Sequence, residues 1–92
     1  MIIINSEDEK KLVYRMITRE KNFAYSKVFQ MDTEKEREQF YGIIDACSET
    51  MDLINQGHSL KDIIKISEDK KANSDNDHYI KGIDLVLKII KE

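Results

Sequence analysis

Apolar residues recur at alternating steps of four and three along the middle of the chain, at Phe40, Ile44, Cys47, Met51 and Ile54. This spacing places all five on one face of an α-helix. The same spacing also occurs in coiled coils, so the face predicts packing within the chain or pairing between two chains. We interpret Phe40, Ile44, Met51 and Ile54 as a possible helix–helix or dimer seam.

Capping residues mark both ends of this helix. Thr33 and Glu36 form the T-x-x-E pattern of a capping box before it, and Gly57 follows its last apolar residue in the manner of a C′ glycine. Ser59 and Asp62 then predict the start of the next helix. The sequence therefore predicts two helices joined by a short turn.

A first helix is predicted over about residues 7–20, opened by a capping box of Ser6 and Glu9. The apolar rhythm lapses at residues 18–22 and resumes at Phe23, so we expect a bend and a second short helix near 22–30. A final helix follows Ser74 or Asp75 as its cap. Its apolar face comprises Tyr79, Ile83, Val86 and Ile90.

Together these elements predict an all-α fold, a compact bundle of four or five helices in a single domain spanning residues 1–92. The β-branched run Ile2–Ile4 adds the option of a short N-terminal strand. Gly42 and Gly82 fall inside predicted helices, where each costs about 1 kcal/mol relative to alanine. Close helix–helix approach, within one chain or between two, would account for both.

Composition agrees with a folded helical domain. The chain has 92 residues, 40% of them hydrophobic and 36% charged, with no proline and three glycines, which is too apolar for disorder and poor in turn residues. A single cysteine excludes an internal disulfide and fits a reducing compartment. The sequence shows no signal peptide and no apolar run long enough for a membrane helix, so we expect a cytoplasmic protein.

Charge is distributed unevenly. Residues 10–27 carry six positive charges against the single acid Glu20, although the chain as a whole has a net charge of -3. Lys11, Arg15 and Arg19 recur every four residues and would form one line along a helix. We call these three residues the basic ridge and predict, with the adjoining Tyr14, that they bind a partner. The partner would be a larger protein with an acidic surface, or nucleic acid.

An alternative explanation needs no partner. Residues 31–55 carry seven acids against Lys35 and Arg37, a net charge of -5 that matches the +5 of residues 10–27. The two helices could lie side by side and neutralise each other across a solvated seam, with each surface pair contributing less than about 1 kcal/mol.

The segment around Gly57 resembles a helix-turn-helix motif in outline, with Leu60, Lys61, Asp62 and Lys65 at the start of the second helix. Asp62 would face phosphate unfavourably, and the preceding helix is long for this motif. A nucleic-acid-binding regulator is therefore the alternative hypothesis.

Catalytic and metal-binding signatures are weak. Cys47, His58 and His78 lack the spacing of a zinc site. The acidic loop before His78 lacks the glycine and glutamate of a calcium-binding EF-hand. We predict no metal, no cofactor and no enzymatic activity. The favoured function is a small non-enzymatic interaction protein that acts as a regulator, adaptor or inhibitor, as small phage and mobile-element proteins often do, and that could form a homodimer.

Overall fold

The computed structural model describes residues 6–91, which form four helices. They are α1 (Ser6–Gln30), α2 (Glu34–Asn55), α3 (Leu60–Ala72) and α4 (Asp77–Lys91). The predicted all-α bundle is thus confirmed with four helices, and residues 6–91 contain no strand. The strand predicted at Ile2–Ile4 lies outside the described residues, as does the Ser6 side chain on which the predicted capping box with Glu9 depends.

Helix α1 runs without interruption through residues 18–22, where we expected a bend. That expectation was wrong because a lapse in apolar residues does not by itself end a helix. The segment contains no glycine or proline, and arginine, glutamate and lysine are good helix formers. Its buried side also continues, because Ile17 and Ala24 are both buried and lie two helical turns apart.

The predicted caps of α2 and α3 are confirmed. The Thr33 hydroxyl oxygen accepts the backbone N–H of Glu36 at 3.2 Å and donates to the Glu36 carboxylate at 2.9 Å. The Ser59 hydroxyl accepts the backbone N–H of Asp62 at 3.1 Å. The two bonds from backbone N–H groups, those of Glu36 and Asp62, each satisfy a donor that has no partner within its helix.

Gly57 ends α2 with a φ of +91°, in the left-handed region that favours glycine. Its N–H donates to the Ile54 carbonyl at 3.0 Å, and the His58 N–H donates to the Leu53 carbonyl at 3.2 Å. These two bonds form a Schellman motif. The turn between α2 and α3 is therefore specified by one glycine, as the sequence predicted.

The cap of α4 is Asn76, not Ser74 or Asp75. The Asn76 side-chain oxygen accepts the backbone N–H groups of His78 at 3.1 Å and Tyr79 at 3.2 Å. The Ser74 hydroxyl instead accepts the N–H of Asn76 at 3.2 Å and so helps to hold the loop. Several cap-forming residues follow one another here, and sequence alone could not choose among them.

The core lies where α1, α2 and α4 meet, with α2 packed against both of the others. Its buried cluster comprises Val13, Ile17, Ala46, Cys47, Ile83, Val86, Leu87 and Ile89. The proposed seam serves this core: Ile44 is buried, Met51 and Ile54 pack against the cluster, and Phe40 is half-buried. Helix α3 lies mainly against α4, with Ile63 fully buried.

Helices α2 and α4 cross at Gly42 and Gly82. A Cβ atom added to Gly82 would lie 3.0 Å from the Ile43 Cα, and one added to Gly42 would lie 2.7 Å from the backbone nitrogen of Tyr79. Both glycines therefore permit close backbone contact between two helices of the same chain.

Candidate partner-binding face on helix α1

The basic ridge lies on the solvent side of α1. Lys11, Arg15 and Arg19 are all exposed, and the uninterrupted helix keeps them in one line. No acid within residues 6–91 forms an ion pair with any of the three. They are therefore available to a partner in this structure.

The ion pairs that do occur lie elsewhere. They join Lys10 to Glu7, Arg37 to Glu34, Lys70 to Glu49, Lys71 to Asp84 and Lys91 to Glu68. In the described part of the chain, none joins a base of α1 to an acid of α2. These two helices instead meet through side chains such as Thr18, whose hydroxyl lies 3.9 Å from the Met51 sulfur. Packing against α2 therefore leaves the basic ridge unpaired.

An apolar groove of about 400 Å³ lies between α1 and the end of α4. Its lining consists of Glu9, Leu12, Val13, Met16, Leu60, Ile89, Ile90 and Lys91. Leu12, next to Lys11 in the chain, is 52% exposed. Arg19 lines a smaller hollow of about 140 Å³ together with Met16 and Ile89. Because Met16 and Ile89 line both cavities, the groove reaches one end of the ridge.

Tyr14 lies apart from the groove. It is half-buried and lines a separate open hollow of about 540 Å³ with Lys11 and residues at the end of α2, including Ile54 and Gly57. The predicted site is thus brought together only in part. Arg19 adjoins the groove through the smaller hollow, whereas Lys11 lies beside Tyr14 on the side of α1 that faces the end of α2.

The sequence analysis did not predict the groove, although one signal for it is present in the chain. Leu12 and Val13 are consecutive, and neighbouring residues on a helix point about 100° apart. Val13 is buried, and Leu12 is left at the edge. The adjacent pair of apolar residues was the signal that one of them could remain accessible.

In the segment that we considered for DNA binding, one of the four residues named is not exposed. Lys61, Asp62 and Lys65 are exposed at the start of α3, but Leu60 is half-buried and lines the groove. Helix α2 before the turn is 22 residues long. The start of α3 therefore lines the groove through Leu60 and exposes Lys61, Asp62 and Lys65 to solvent.

Cys47 is fully buried in the core. The pKa of its thiol is raised to about 12, chiefly by burial and also by the negative charge of Glu20, while the positive charge of Lys21 lowers it. The thiol is consequently protonated at neutral pH, whereas the thiolate is the nucleophile and the metal ligand. In the described ranges, no group of three or more His, Cys, Asp and Glu side chains could hold a metal ion.

A polar network joins three helices near the start of α4. Glu49 of α2 accepts a short hydrogen bond from the Tyr79 hydroxyl of α4 and pairs with Lys70 of α3 at 3.3 Å. Burial and the hydrogen bond to Glu49 raise the pKa of Tyr79. The pKa of Asp45 is raised by burial and by the charge of Glu49. Nearby, the Nδ1 atom of His78 is buried without a hydrogen-bond partner in the described structure.

None of the helices within residues 6–91 is long and apolar enough to cross a membrane. Comparisons with family models, with curated proteins and with solved structures return no match for this chain.

Proposed function

We propose that this chain is a small non-enzymatic interaction protein that binds a larger protein and acts as a regulator, adaptor or inhibitor. The observation that supports this is an exposed line of three unpaired basic side chains on α1, which adjoins an apolar groove at its Arg19 end. Unpaired cations and accessible apolar surface together are typical of protein-binding sites. The cytoplasm, where a lone thiol stays reduced, is the proposed location.

The partner segment that fits this face is an acidic amphipathic helix. Its apolar side would enter the groove against Leu12, Met16 and Ile90, which is the helix-in-groove mode of recognition. Its carboxylates would meet the basic ridge, where Arg15 and Arg19 can each form forked hydrogen bonds. The ridge spans eight residues and therefore about 12 Å along the helix axis, so two turns of a partner helix would cover it.

The groove and the ridge would make different contributions. Exposed ion pairs are typically worth about 1 kcal/mol or less each, so burial of apolar surface in the groove would supply most of the affinity. The ridge would set the orientation of the partner and increase the rate of association. Reversing its charge would do more than removing it, because like charges then repel.

The test compares two triple variants with the same change in charge. Lys11→Glu, Arg15→Glu and Arg19→Glu alter the ridge, whereas Lys61→Glu, Lys65→Glu and Lys88→Glu alter exposed positions on α3 and α4. Tagged proteins are used to capture partners from nuclease-treated native lysate, with helicity checked by circular dichroism. We expect a partner that binds the parent and the control variant and is lost only from the ridge variant. Equal capture by both variants would contradict the proposal.

Nucleic acid as the partner gives a different result. Its binding would disappear on nuclease treatment and weaken steeply as salt rises, because phosphate contacts release counterions. That outcome would replace the protein-binding proposal with a nucleic-acid-binding regulator that uses the same ridge.

A further inference from the structure

Aromatic side chains are exposed where α1 and α2 join. We call residues 21–41 the hairpin end. Phe29 is 86% exposed and Phe23 is 57% exposed, while Tyr25 and Tyr41 are 43% and 36% exposed. Tyr25 and Phe29 are four residues apart and share one side of α1, whereas Phe23 lies on the other side of the buried Ala24. Exposed aromatic residues that lie together mark an interaction surface more often than a scattered apolar side chain does.

The rest of the fold buries few residues of the hairpin end. Ala24 is the last buried residue of α1, and Gly42 is the next buried residue along the chain. No described residue between them is buried. The central cluster draws on Val13 and Ile17 from α1, and on Ala46 and Cys47 from α2. The hairpin end is therefore held mainly by contact between its own two helices.

The two arms of the hairpin end carry opposite charge. Residues 21–31 contain Lys21 and Lys27 and no acid, which gives a net charge of +2. Residues 32–41 contain four acids against Lys35 and Arg37, which gives a net charge of -2. Neither Lys21 nor Lys27 forms an ion pair with another described residue. The hairpin end consequently has no net charge, and the basic arm of one copy is complementary to the acidic arm of another.

We propose that the hairpin end is a homodimer interface, in which two copies pack about a two-fold axis with the α1 arm of each against the α2 arm of the other. In a two-fold interface every contact occurs twice, so each basic arm would meet an acidic arm. Pairing of the two α1 arms would instead bring four lysines together. The result is a four-helix arrangement in which Tyr25 and Phe29 are buried between the hairpins.

The exposed aromatic area is large enough to matter. Aromatic side chains bury roughly 200 Å² each, so the exposed fractions of Tyr25 and Phe29 add to about 260 Å² per copy. A stable interface buries about 800 Å² per partner, so these two rings would supply about a third of it. Lys21 lies 5.9 Å from the Tyr25 ring centre. It thus stands beside these rings, where it would reach acids of a second copy.

Sedimentation equilibrium over a wide range of protein concentration tests the interface. We expect the parent chain to dimerise and the double variant Tyr25→Ser and Phe29→Ser to remain monomeric. Leu12→Ser is the matched control, since it removes an exposed apolar side chain from the groove and should leave dimerisation unchanged. A parent chain that stays monomeric at every concentration would overturn the proposal, as would a dimer that persists in the variant of Tyr25 and Phe29.

Charge exchange tests the arrangement of the arms. One variant carries Lys21→Glu and Lys27→Glu, and the other carries Asp32→Lys and Glu38→Lys, so each has two arms of like sign. Each variant alone should dimerise at least tenfold more weakly than the parent, and an equimolar mixture should form a heterodimer. No recovery on mixing would overturn the proposed arrangement. None of these positions belongs to the ridge or the groove, so this result is independent of the partner-binding proposal.

Discussion

At the scale of single residues, the contact between Gly42 and Gly82 limits what the fold accepts. Glycine inside a helix normally costs about 1 kcal/mol relative to alanine, so an alanine at either position would favour the isolated helix. The neighbouring atoms at this crossing are backbone atoms, including the Cα of Ile43 at 3.0 Å from the Cβ of a residue at position 82. Backbone atoms cannot move aside as a flexible side chain can.

Gly82→Ala should therefore destabilise the protein despite its better helix propensity. Overpacking in a filled site typically costs 1–3 kcal/mol, and we expect a net loss of about 2 kcal/mol in the free energy of unfolding. Urea denaturation measures this, with Asn22→Ala at an exposed position of α1 as the control, where a change within about 0.5 kcal/mol is expected. A Gly82→Ala variant as stable as the parent would show that the helices can separate without cost.

Cys47 should make the fold sensitive to alkaline pH. Its thiol has an ordinary pKa of 9.0 in the unfolded chain and a pKa of about 12 when buried. Between these values the unfolded state loses a proton that the folded state keeps, so raising the pH favours unfolding by about 1.4 kcal/mol per pH unit. Below pH 9 the thiol is protonated in both states, and this contribution is constant.

We expect Cys47→Ala to flatten the fall in stability between pH 9 and pH 10, although the small cavity lowers stability at every pH. The measurement is urea denaturation at a series of pH values. Tyr79→Phe serves as the comparison, because Tyr79 has an ordinary pKa of 10.0 and its raised pKa acts mainly above that pH. Parallel pH curves for the parent and Cys47→Ala would contradict the assignment.

At the scale of helices, periodicity and caps predicted most of what forms. Thr33, Ser59 and Gly57 act as their sequence positions indicate, because capping depends on residues only a few positions apart. The continuity of α1 was not predicted, although residues 18–22 contain no glycine or proline, because the lapse in apolar residues was interpreted as a break. Helix propensity carries α1 through this polar segment, and the burial of Ile17 and Ala24 on either side supports the continuation.

Asn76 offers a test at the same scale. Its side chain accepts two backbone N–H groups of α4, so Asn76→Ala should lower the free energy of unfolding by about 1 kcal/mol. Asp75→Ala is the matched control, since Asp75 is exposed and takes no part in those bonds. Thermal unfolding should show a lower midpoint for the first variant and a shift of at most a few tenths of a kcal/mol for the second. Equal shifts would mean that Asp75 contributes as much to the cap of α4 as Asn76 does.

At the scale of the whole molecule, the candidate face forms only when α1, α3 and α4 are assembled. The sequence identified the ridge because Lys11, Arg15 and Arg19 recur along one helix. The groove could not be found in this way, since Leu60 and Ile89 come from helices whose positions depend on the complete packing. Linear spacing thus predicted the charged half of the candidate face and missed the apolar half.

Glu49 connects three of the four helices, and its two bonds should differ in strength. The bond from Tyr79 is partly buried, whereas the Lys70 side chain is 39% exposed and that of Glu49 is 44% exposed. Double-mutant cycles of Glu49→Gln with Tyr79→Phe and with Lys70→Met measure each coupling. We expect about 1–2 kcal/mol for the first pair and below about 1 kcal/mol for the second. The reverse order would indicate that the ion pair holds α3 in place.

The glycine crossing also decides which of several similar assemblies is native. The apolar face of α4 repeats nearly every turn, so a shift of one turn along α2 would still bury apolar residues. Such a shift brings His78 or Val86 to the place of Gly82, and any Cβ there meets the backbone of α2. The crossing therefore accepts one alignment and rejects its neighbours. Its main consequence is a unique structure, obtained from a helix whose hydrophobic pattern alone would allow several.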